Sequence, residues 1–286
     1  MFFMFIVFFL VVYALVWFAI SSLVAPIPLN DGEKMRYASF PKATTSIIVV
    51  NVLVFVGWQF PMMVTYVLAD EGSVEEAQAV QALDHMVYTF GSTAVAVREG
   101  TGIGAFSTVT GMFMHGSFSH LLANMFFLWA FGRRLEDACG SWRFLLLYLF
   151  TGFCGKTATY LLLSDIYTPS IGASGATSGL MGAYLIIFPR RRLQCIWLGG
   201  ALLRGFWGVL TGGRRDVRRL VAVPALVLFF LYMASDLVSA LQTFETGRLE
   251  SNINYVAHAG GFLSGAIVLF MVRKDLLMRY LTMRKL

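Results

Sequence analysis

One serine in this chain has surroundings that could make it a nucleophile. Ser174 lies in the segment SIGASGATSGLMGA (170–183), where Gly, Ala, Ser and Thr predominate within an otherwise apolar run. A serine hydroxyl is a weak nucleophile until a neighbouring base takes its proton. His258, in the segment YVAHAGG (255–261) near the other end of the chain, could be that base. The two side chains together indicate nucleophilic catalysis.

The segments around Ser174 and His258 both have the pattern of a helix with one nearly smooth face. Small residues recur every four positions in each, at Gly175, Gly179 and Ala183 and at Ala257, Gly261 and Gly265. Residues four apart share a helix face. Small residues on that face let two backbones approach closely, which is how helices associate in lipid. Helix packing without catalysis is therefore the alternative interpretation of both segments.

The composition identifies the class of protein. Of 286 residues, 58% are hydrophobic and only 13% are charged, whereas about a quarter of an average soluble protein is charged. The chain is therefore predicted to be an integral membrane protein, with lipid as its surroundings and no nucleic-acid partner. Its three cysteines lack paired spacing, which argues against a disulfide framework or a zinc ribbon.

The apolar runs predict an all-α polytopic membrane protein. Seven runs are long enough to cross a hydrocarbon core of about 30 Å, at approximately 1–25, 46–68, 111–132, 142–163, 171–189, 221–241 and 254–272. A long polar loop, rich in acidic residues, is predicted between 69 and 108.

The basic residues predict the orientation of these spans. Nineteen of the 22 lysines and arginines fall on one side of the layout, and the positive-inside rule makes that side cytoplasmic. The N-terminus is then outside and the C-terminus inside. The apolar segment at the start of 193–219 does not fit a crossing, because four arginines would then lie outside. We predict a helix or hairpin at the cytoplasmic interface there.

Polar residues inside predicted spans are costly, and they are candidates for function. His120 and Asn124 are four residues apart and share a helix face. His115 is predicted to lie on another face and nearer the surface. No H-E-x-x-H motif is present, which argues against a metalloprotease. Asp236 is the only mid-span aspartate, which excludes an aspartyl protease with two facing carboxylates. Interhelical hydrogen bonding is the alternative role for His120 and Asn124.

Depth in the membrane brings three of these side chains together. Counted from the cytoplasmic arginines at 1.5 Å per residue, Ser174, His258 and His120 lie at heights of about 24, 22 and 20 Å. Asn124 lies about one turn lower. Helices with independent sequences thus place a hydroxyl and two imidazoles in one layer, in the outer half of the membrane. A common site explains that coincidence better than scattered packing residues do.

At these residues the chain resembles the rhomboid family of intramembrane serine proteases. The matching motifs are H-x4-H-x3-N at 115–124, G-x-S-G at 172–175 and A-H-x-G-G-x-x-x-G at 257–265. Supporting matches are GRRLE at 132–136 followed by Gly140, and KATT at 42–45 leading into Asn51. The resemblance extends from about residue 42 to residue 273.

The resemblance implies a domain organisation. It predicts a six-helix rhomboid-like core in a protease domain at 46–273, with the segment 193–219 as a cytoplasmic interfacial insertion. An extra N-terminal transmembrane helix and a cytoplasmic linker would occupy 1–45, and a basic cytoplasmic tail 274–286.

The resemblance also implies roles for individual residues. Ser174 would be the nucleophile and His258 the general base, in a dyad without a carboxylate. His120, Asn124 and the Ser174 backbone N–H would form the oxyanion hole, with supporting roles for His115, Gly172, Gly175 and Gly261. Some family members carry an aromatic residue four positions after the serine, stacked on the histidine. Ser178 stands there in this chain, so His258 must be steadied in another way.

The function that the resemblance implies is hydrolysis of peptide bonds in or near the transmembrane segments of single-pass membrane proteins. No cofactor and no metal are expected. The expected location is a cell membrane or bacterial inner membrane, with an organelle membrane as the alternative. Two other functions compete: a proteolytically inactive relative that binds transmembrane helices as a chaperone or scaffold, and a small transporter. Few charged residues line a path for transport, and inactive relatives typically lose the serine or the histidine, both of which are present here.

Overall fold

The computed structural model describes residues 2–32, 35, 39–163, 167–211, 218–246 and 254–272. The fold is mostly helical, as predicted. The α-helices are, in chain order, α1 (Phe2–Val24), α2 (Lys42–Val54), α3 (Phe60–Leu68), α4 (Val74–Phe90), α5 (Ala94–Glu99), α6 (Ser107–Thr110), α7 (Phe118–Phe127), α8 (Arg133–Cys139), α9 (Ser141–Leu162), α10 (Ser174–Ile187), α11 (Leu198–Leu210), α12 (Ala225–Thr246) and α13 (Tyr255–Val272). The strands are β1 (Ile27–Asn30), β2 (Arg192–Ile196) and β3 (Leu220–Pro224). None of the three cysteines forms a disulfide.

The described chain divides into two compact units, Met1–Lys34 with Arg190–Leu228 and Met35–Pro189 with Phe229–Leu286. The first unit contains a small antiparallel sheet in the order β1-β2-β3. Cys195 in the central strand lies opposite Pro28 on one side and Val221 on the other. Helix α11 connects β2 to β3 and packs on α1.

The sheet corrects the all-α prediction and two element boundaries. The segment 193–219 contains a helix, α11, but its flanks are strands. Residues in β2 alternate between exposed and buried from Arg192 to Cys195, which is the period-two pattern of a strand. The predicted span 221–241 likewise begins as β3, and helix α12 starts only at Ala225. A prediction from hydropathy alone missed these strands because it ignored the alternation.

The core of the second unit is a three-helix cluster of α9, α10 and α13, packed through small residues. A Cβ at Gly261 would overlap the carbonyl oxygen of Gly175, and one at Gly265 would overlap that of Gly179. A Cβ at Gly155 would meet the carbonyl oxygen of Ala257 at 2.5 Å. The prediction of two smooth helix faces is thus confirmed, and the faces pack against each other.

The polar loop predicted between 69 and 108 is partly helical. Ser73 caps the N-terminus of α4 by accepting a hydrogen bond from the Glu76 N–H, and Thr93 caps α5 through Ala96 N–H. Ser and Thr are preferred N-cap residues because they satisfy backbone donors that the helix leaves unpaired. The polarity of the segment predicted a loop, and that prediction did not take these two N-cap residues into account.

The predicted span 111–132 also differs from the structure. A 3₁₀ turn at Gly111–Phe113 is followed by a non-helical stretch, and α7 begins only at Phe118. Ser117 ends that stretch by accepting a hydrogen bond from His120 N–H at 3.1 Å. A π-helical segment, Leu128–Gly132, then joins α7 to α8.

Among the residues that the structure describes, two helical segments, Lys42–Leu68 and Ser141–Leu162, are long and apolar enough to cross a membrane by length and composition. The first is continuous through α2, a π-helical turn and α3. Shorter apolar helices are Val12–Val24, Ser174–Ile187, Leu198–Leu210, Ala225–Ser239 and Tyr255–Met271. The number of seven spans stays a prediction.

Glu136 explains why two of the supporting motifs occur together. Its carboxylate accepts hydrogen bonds of 2.8 Å from the Ala43 N–H, the Thr44 N–H and the Thr44 hydroxyl, at the N-terminus of α2. It also accepts one from the Ser141 hydroxyl. A carboxylate at this position satisfies unpaired helix donors and complements the positive end of the helix dipole. The GRRLE segment thereby fixes α2 against α8 and α9.

Candidate active site

Ser174 is the first residue of α10, with Ala173 as the N-cap. The helix begins three residues later than the predicted span 171–189. Gly172 has a φ of 115° and donates its N–H to the Gly111 carbonyl at 2.8 Å, and this conformation favours glycine. The first N–H groups of a helix lack intrahelical acceptors. The Ser174 N–H is therefore available to a ligand oxygen.

The connection leading into Ser174 is anchored at Ser170. Its backbone N–H and carbonyl pair with the carbonyl and N–H of Ser92, at 2.8 and 3.1 Å. The ammonium group of Lys156, a buried residue of α9, donates to the same Ser170 carbonyl at 2.6 Å. Asn254 donates from Nδ2 to the Ser170 hydroxyl at 3.2 Å. Three separate segments thus hold the chain four residues before Ser174.

Asn254 connects this anchor to the helix that carries His258. Its Oδ1 accepts hydrogen bonds from the Ala257 N–H at 2.9 Å and from the Thr159 hydroxyl at 3.1 Å. Asn254 is therefore the N-terminal cap of α13, and its side chain bonds to α9 and to Ser170 at once. Because it contacts the segments before both Ser174 and His258, it sets the position of one relative to the other.

His258 has a carboxylate partner. Its Nδ1 lies 2.9 Å from Oδ2 of Asp236 on α12, and the two side chains are only 13% and 19% exposed. The resemblance implied a dyad without a carboxylate, and the structure places a carboxylate beside its histidine. The other ring nitrogen, Nε2, is buried and has no hydrogen-bond partner among the residues that the structure describes. His258 is thus held at one nitrogen and free at the other.

His120 lies next to the serine. A Cβ at Gly172 would lie 2.8 Å from Nε2 of His120 and 3.7 Å from Oγ of Ser174. The backbone after Ser174 also approaches the backbone before His258, since a Cβ at Gly175 would lie 3.4 Å from the Ala257 carbonyl oxygen. Ser174, His120 and His258 therefore form one cluster, and Gly172 gives the His120 ring the space that a side chain would occupy. Their catalytic roles stay predictions.

Asn124 is 4% exposed and is oriented by two neighbours. Its Nδ2 donates to the His120 carbonyl at 3.0 Å, and its Oδ1 accepts from the Thr177 hydroxyl at 3.3 Å. The Thr177 hydroxyl also lies 3.0 Å from the Ser174 carbonyl. Thr177 thus links the predicted oxyanion amide to the first turn of α10, a role that the sequence did not reveal.

His115 does not lie where the sequence predicted. It is completely buried, and its ring meets that of His120 edge to face at a centroid distance of 5.1 Å. Gln59 exchanges two hydrogen bonds with its backbone, at 2.9 and 3.0 Å. The helical spacing rule put His115 on another face, and it fails here because residues 114–117 are not helical.

Gly175 and Gly261 determine the distance between the two candidate helices. A Cβ at Gly175 would lie 3.4 Å from the Ala257 carbonyl oxygen, and one at Gly261 would overlap Gly175 itself. Gly175 follows Ser174, and Ala257 precedes His258. The close approach of these backbones therefore brings the hydroxyl and the imidazole to the same level.

Asp236, Lys156, Asn254 and Thr177 are the residues of this site that sequence reasoning missed. The signal for Asp236 was available, because an ionisable residue in the middle of an apolar helix needs a partner and His258 could be one. Asn254 directly before an apolar helix was an N-cap signal. Lys156 carried the same signal as a charged residue inside an apolar helix, but its partner, a backbone carbonyl, leaves no mark in the sequence. Thr177 carried no signal, because it looks like a small packing residue.

Within the described residues, no group of three or more His, Cys, Asp and Glu side chains could hold a metal ion. The fold and the cluster instead define a class: a helical membrane protein with a serine at the start of one helix and an imidazole on its neighbour. The chain belongs to the rhomboid family. The family model for the Rhomboid domain matches residues 104–275, which is more than half of the chain. Members of this family are integral membrane proteins.

Three relatives illustrate the range of the family. Rhomboid-like protein 11, chloroplastic, of Arabidopsis thaliana is 29% identical over 166 residues, 58% of this chain and 52% of the relative. “Putative rhomboid protease YdcA” of Bacillus subtilis is 35% identical over 104 residues, 36% and 52% of the two chains. The human presenilin-associated rhomboid-like protein, mitochondrial, is 27% identical over 176 residues, 59% and 37%. The chain thus spans about half or less of the length of these relatives.

Proposed function

We propose that this protein is an intramembrane serine protease that hydrolyses peptide bonds in or near the transmembrane segments of single-pass membrane proteins. One observation carries the proposal. The helix that begins with Ser174 packs directly on the helix of His258, whose Nε2 is buried and has no partner among the described residues. Membership of the rhomboid family supports it, and so does the word protease in the name of the Bacillus relative.

The proposed reaction proceeds in two stages. The Ser174 Oγ adds to the carbonyl carbon of the substrate while Nε2 of His258 takes the hydroxyl proton. The C–N bond then breaks, and that proton passes to the amine that leaves. Water, deprotonated by the same nitrogen, attacks the acyl ester, and the hydroxyl of Ser174 regains its proton. No cofactor or metal takes part.

The oxyanion of each tetrahedral intermediate needs hydrogen-bond donors. The Ser174 N–H at the positive end of α10 is one, and the side chains of His120 and Asn124 are the other two in this proposal. Donors aimed at a developing oxyanion in a site sheltered from water contribute about 10²–10³ in rate each. The contacts of Asn124 with Thr177 and with the His120 carbonyl support this role, because they orient the amide in advance.

Labelling with a fluorophosphonate probe tests the proposal on the full chain. The probe phosphonylates an activated serine with loss of fluoride. We expect wild type to be labelled and Ser174→Ala to remain unlabelled. Ser178→Ala is the matched control, since it removes a buried hydroxyl from the same helix. An unlabelled wild type would instead favour the inactive, helix-binding relative.

The substrate and the location belong to the same proposal. A site on helices of this length is reached by segments that are themselves in the membrane, so single-pass proteins are the proposed partners and lipid the surroundings. The proposed location is a cell membrane, a bacterial inner membrane or an organelle membrane; the plant and human relatives are named chloroplastic and mitochondrial. Comparing membrane proteomes of cells with wild type and with Ser174→Ala would identify the substrates.

A further inference from the structure

Asp236 is a carboxylate in the middle of an apolar helix, and its position has to be explained. Its flanking sequence on α12, LVLFFLYMASDLVSA, contains no other charged residue. An ionisable side chain at such a position is costly unless it is paired. The partner is His258, at 2.9 Å through Nδ1.

A packing role alone accounts poorly for this pair. Two apolar side chains of similar size would fill the same space without the cost of removing a carboxylate from water. His258, moreover, lacks an aromatic support, because Ser178 occupies the position where such a ring would stand. The Tyr255 ring contacts the His258 ring edge to face, with the two centroids 6.1 Å apart. Such a contact does not determine which nitrogen of His258 carries the proton.

The contact with Asp236 determines that tautomer. An ionised carboxylate only accepts hydrogen bonds, so Nδ1 must carry the proton and Nε2 must present its lone pair. Nε2 is the nitrogen that is free in the structure. The same carboxylate stabilises the imidazolium that forms when Nε2 takes a proton.

We propose that Asp236 is a positioning residue, which fixes the orientation and the tautomer of His258 so that Nε2 serves as the general base for Ser174. The protein would then use a serine, a histidine and an aspartate from three helices, where its family resemblance implied only two residues. This inference rests on the proposed protease function, because it assigns Asp236 a task only if His258 is a base.

Substitutions at Asp236 separate this role from a structural one. Asparagine has nearly the shape of aspartate, so a packing role predicts that Asp236→Asn is the mildest change. The positioning role predicts the opposite, because the amide can donate to Nδ1 and hold the proton on Nε2. In serine proteases with an aspartate at this place, the same substitution costs about 10⁴ in rate.

The measurement is fluorophosphonate labelling of the full chain at a series of probe concentrations, which separates the maximal rate from the half-saturating concentration. We expect the maximal rate to fall about 100-fold or more in Asp236→Asn and about 10- to 100-fold in Asp236→Ala. Asp236→Glu keeps the carboxylate and should stay within about tenfold of wild type. The half-saturating concentration should change by less than about twofold in all three. Asp84→Asn, an exposed position on α4, is the control and should match wild type.

The outcomes are distinct. Labelling of Asp236→Asn within twofold of wild type, or above that of Asp236→Ala, overturns the positioning role. A loss confined to the half-saturating concentration also overturns it. If thermal unfolding shows that the Asn and Ala variants do not fold, Asp236→Ser replaces them, and its rate must lie at least tenfold below that of Asp236→Glu. An unlabelled wild type refutes the proposed protease function instead.

Discussion

Ser174 and His258 handle the same proton in the proposed mechanism, so their loss should not be additive. We predict that Ser174→Ala and His258→Ala each abolish cleavage, and that the double variant is no worse than either. Residues that act as one unit lose the same transition-state stabilisation only once. Rates of cleavage of a transmembrane reporter, measured in detergent for all three variants, provide the comparison. A double variant that multiplies the two single losses would contradict a shared role.

The oxyanion donors should act on the rate and not on binding. We expect His120→Ala and Asn124→Ala to lower the maximal rate about 10²- to 10³-fold with little change in half-saturation, because such donors act mainly in the transition state. Thr177→Val removes the hydroxyl that holds Asn124, and we expect a smaller loss, about three- to tenfold.

Thr65→Val is the matched control for Thr177→Val. Within the part of the chain that the structure describes, the Thr65 hydroxyl bonds only to the Pro61 carbonyl, in an exposed turn of its own helix, so its loss should leave the rate unchanged. Weaker binding at an unchanged maximal rate in the His120 or Asn124 variants would reassign those residues to substrate contact.

His115 should influence the site through His120. Its ring is buried and contacts the His120 ring edge to face, so His115→Ala opens a cavity beside the predicted oxyanion donor. We expect a loss of rate similar to that of His120→Ala, together with a lower melting temperature. His115→Phe fills the same space and should retain more activity than His115→Ala. Full activity in His115→Ala would show that the ring contact does not orient His120.

At the scale of helices, the close packing of α10 and α13 carries the site. Any Cβ at Gly265 would overlap the Gly179 carbonyl. We therefore predict that Gly265→Val destabilises the fold by about 1–3 kcal/mol or more, since overpacking forces backbones apart. Activity should fall further, because separating the helices also separates Ser174 from His258. Thermal unfolding and labelling would both be measured.

Ile267→Val is the control for that helix. Ile267 is on α13 but exposed, so the shortened side chain should change neither the melting temperature nor the labelling. Equal stability of Gly265→Val and wild type would show that the two helices can separate without cost.

The smooth faces of α10 and α13 could be predicted from sequence because their information is local. Small residues four apart define a helix face wherever the helix lies. The sheet could not be predicted by hydropathy, since β1 and β2 pair across more than 160 positions of the chain. The partners of Glu136 could not be predicted for the same reason. Its side chain belongs to the GRRLE motif, but it accepts hydrogen bonds from Ala43 and Thr44, which lie far from it in the sequence.

The residues of the candidate site can also be divided into those that local sequence predicts and those that depend on contacts between distant segments. Ser174, His258, His120 and Asn124 could be proposed from motifs and depth, because each is marked within its own helix. Asp236 was marked as a mid-span carboxylate that needs a partner, but the sequence did not show that His258 lies beside it. The contact of His115 with His120 could not be proposed, because it depends on a break in the helix before α7. The spacing of residues in the sequence gives the height of a side chain along its helix, but it does not show which residue of an adjacent helix that side chain contacts.

For the molecule as a whole, the positions of the basic residues bear on the orientation of the chain in the membrane. Lys156 and Arg98 are two of the three basic residues outside the predicted cytoplasmic set. Both bond near the end of the bundle where Ser174 lies, Lys156 to the Ser170 carbonyl and Arg98 to the Tyr160 carbonyl. Arg143 lies in the first turn of α9, and Arg190 follows the C-terminal end of α10 along the chain. That Ser174 faces the outer side of the membrane stays a prediction, which rests on the positive-inside rule applied to the other nineteen lysines and arginines.

That orientation leads to the last prediction, the place where a substrate is cut. Hydrolysis consumes water, which the hydrocarbon core does not supply, so the site must open to the nearer surface. Helix α10 has 14 residues and rises about 21 Å from its predicted cytoplasmic end to Ser174. In a core of about 30 Å, Ser174 is then within about 10 Å of the outer edge. A substrate helix unwinds there at the lowest cost, because water can take over its freed backbone bonds.

We therefore expect the scissile bond within about two helical turns of the outer boundary of the substrate's transmembrane segment, beside small or helix-breaking residues that lower the cost of unwinding. Mass spectrometry of the released fragments would locate it, with Ser174→Ala cells as the control for other proteases. Cleavage sites grouped at the cytoplasmic end would contradict both the depth of Ser174 and the orientation of the chain. A further test replaces a glycine or proline near the cleavage site in the substrate with leucine. Leucine stabilises a helix by about 1 kcal/mol or more relative to these residues. Loss of cleavage in that substrate would support the unwinding argument.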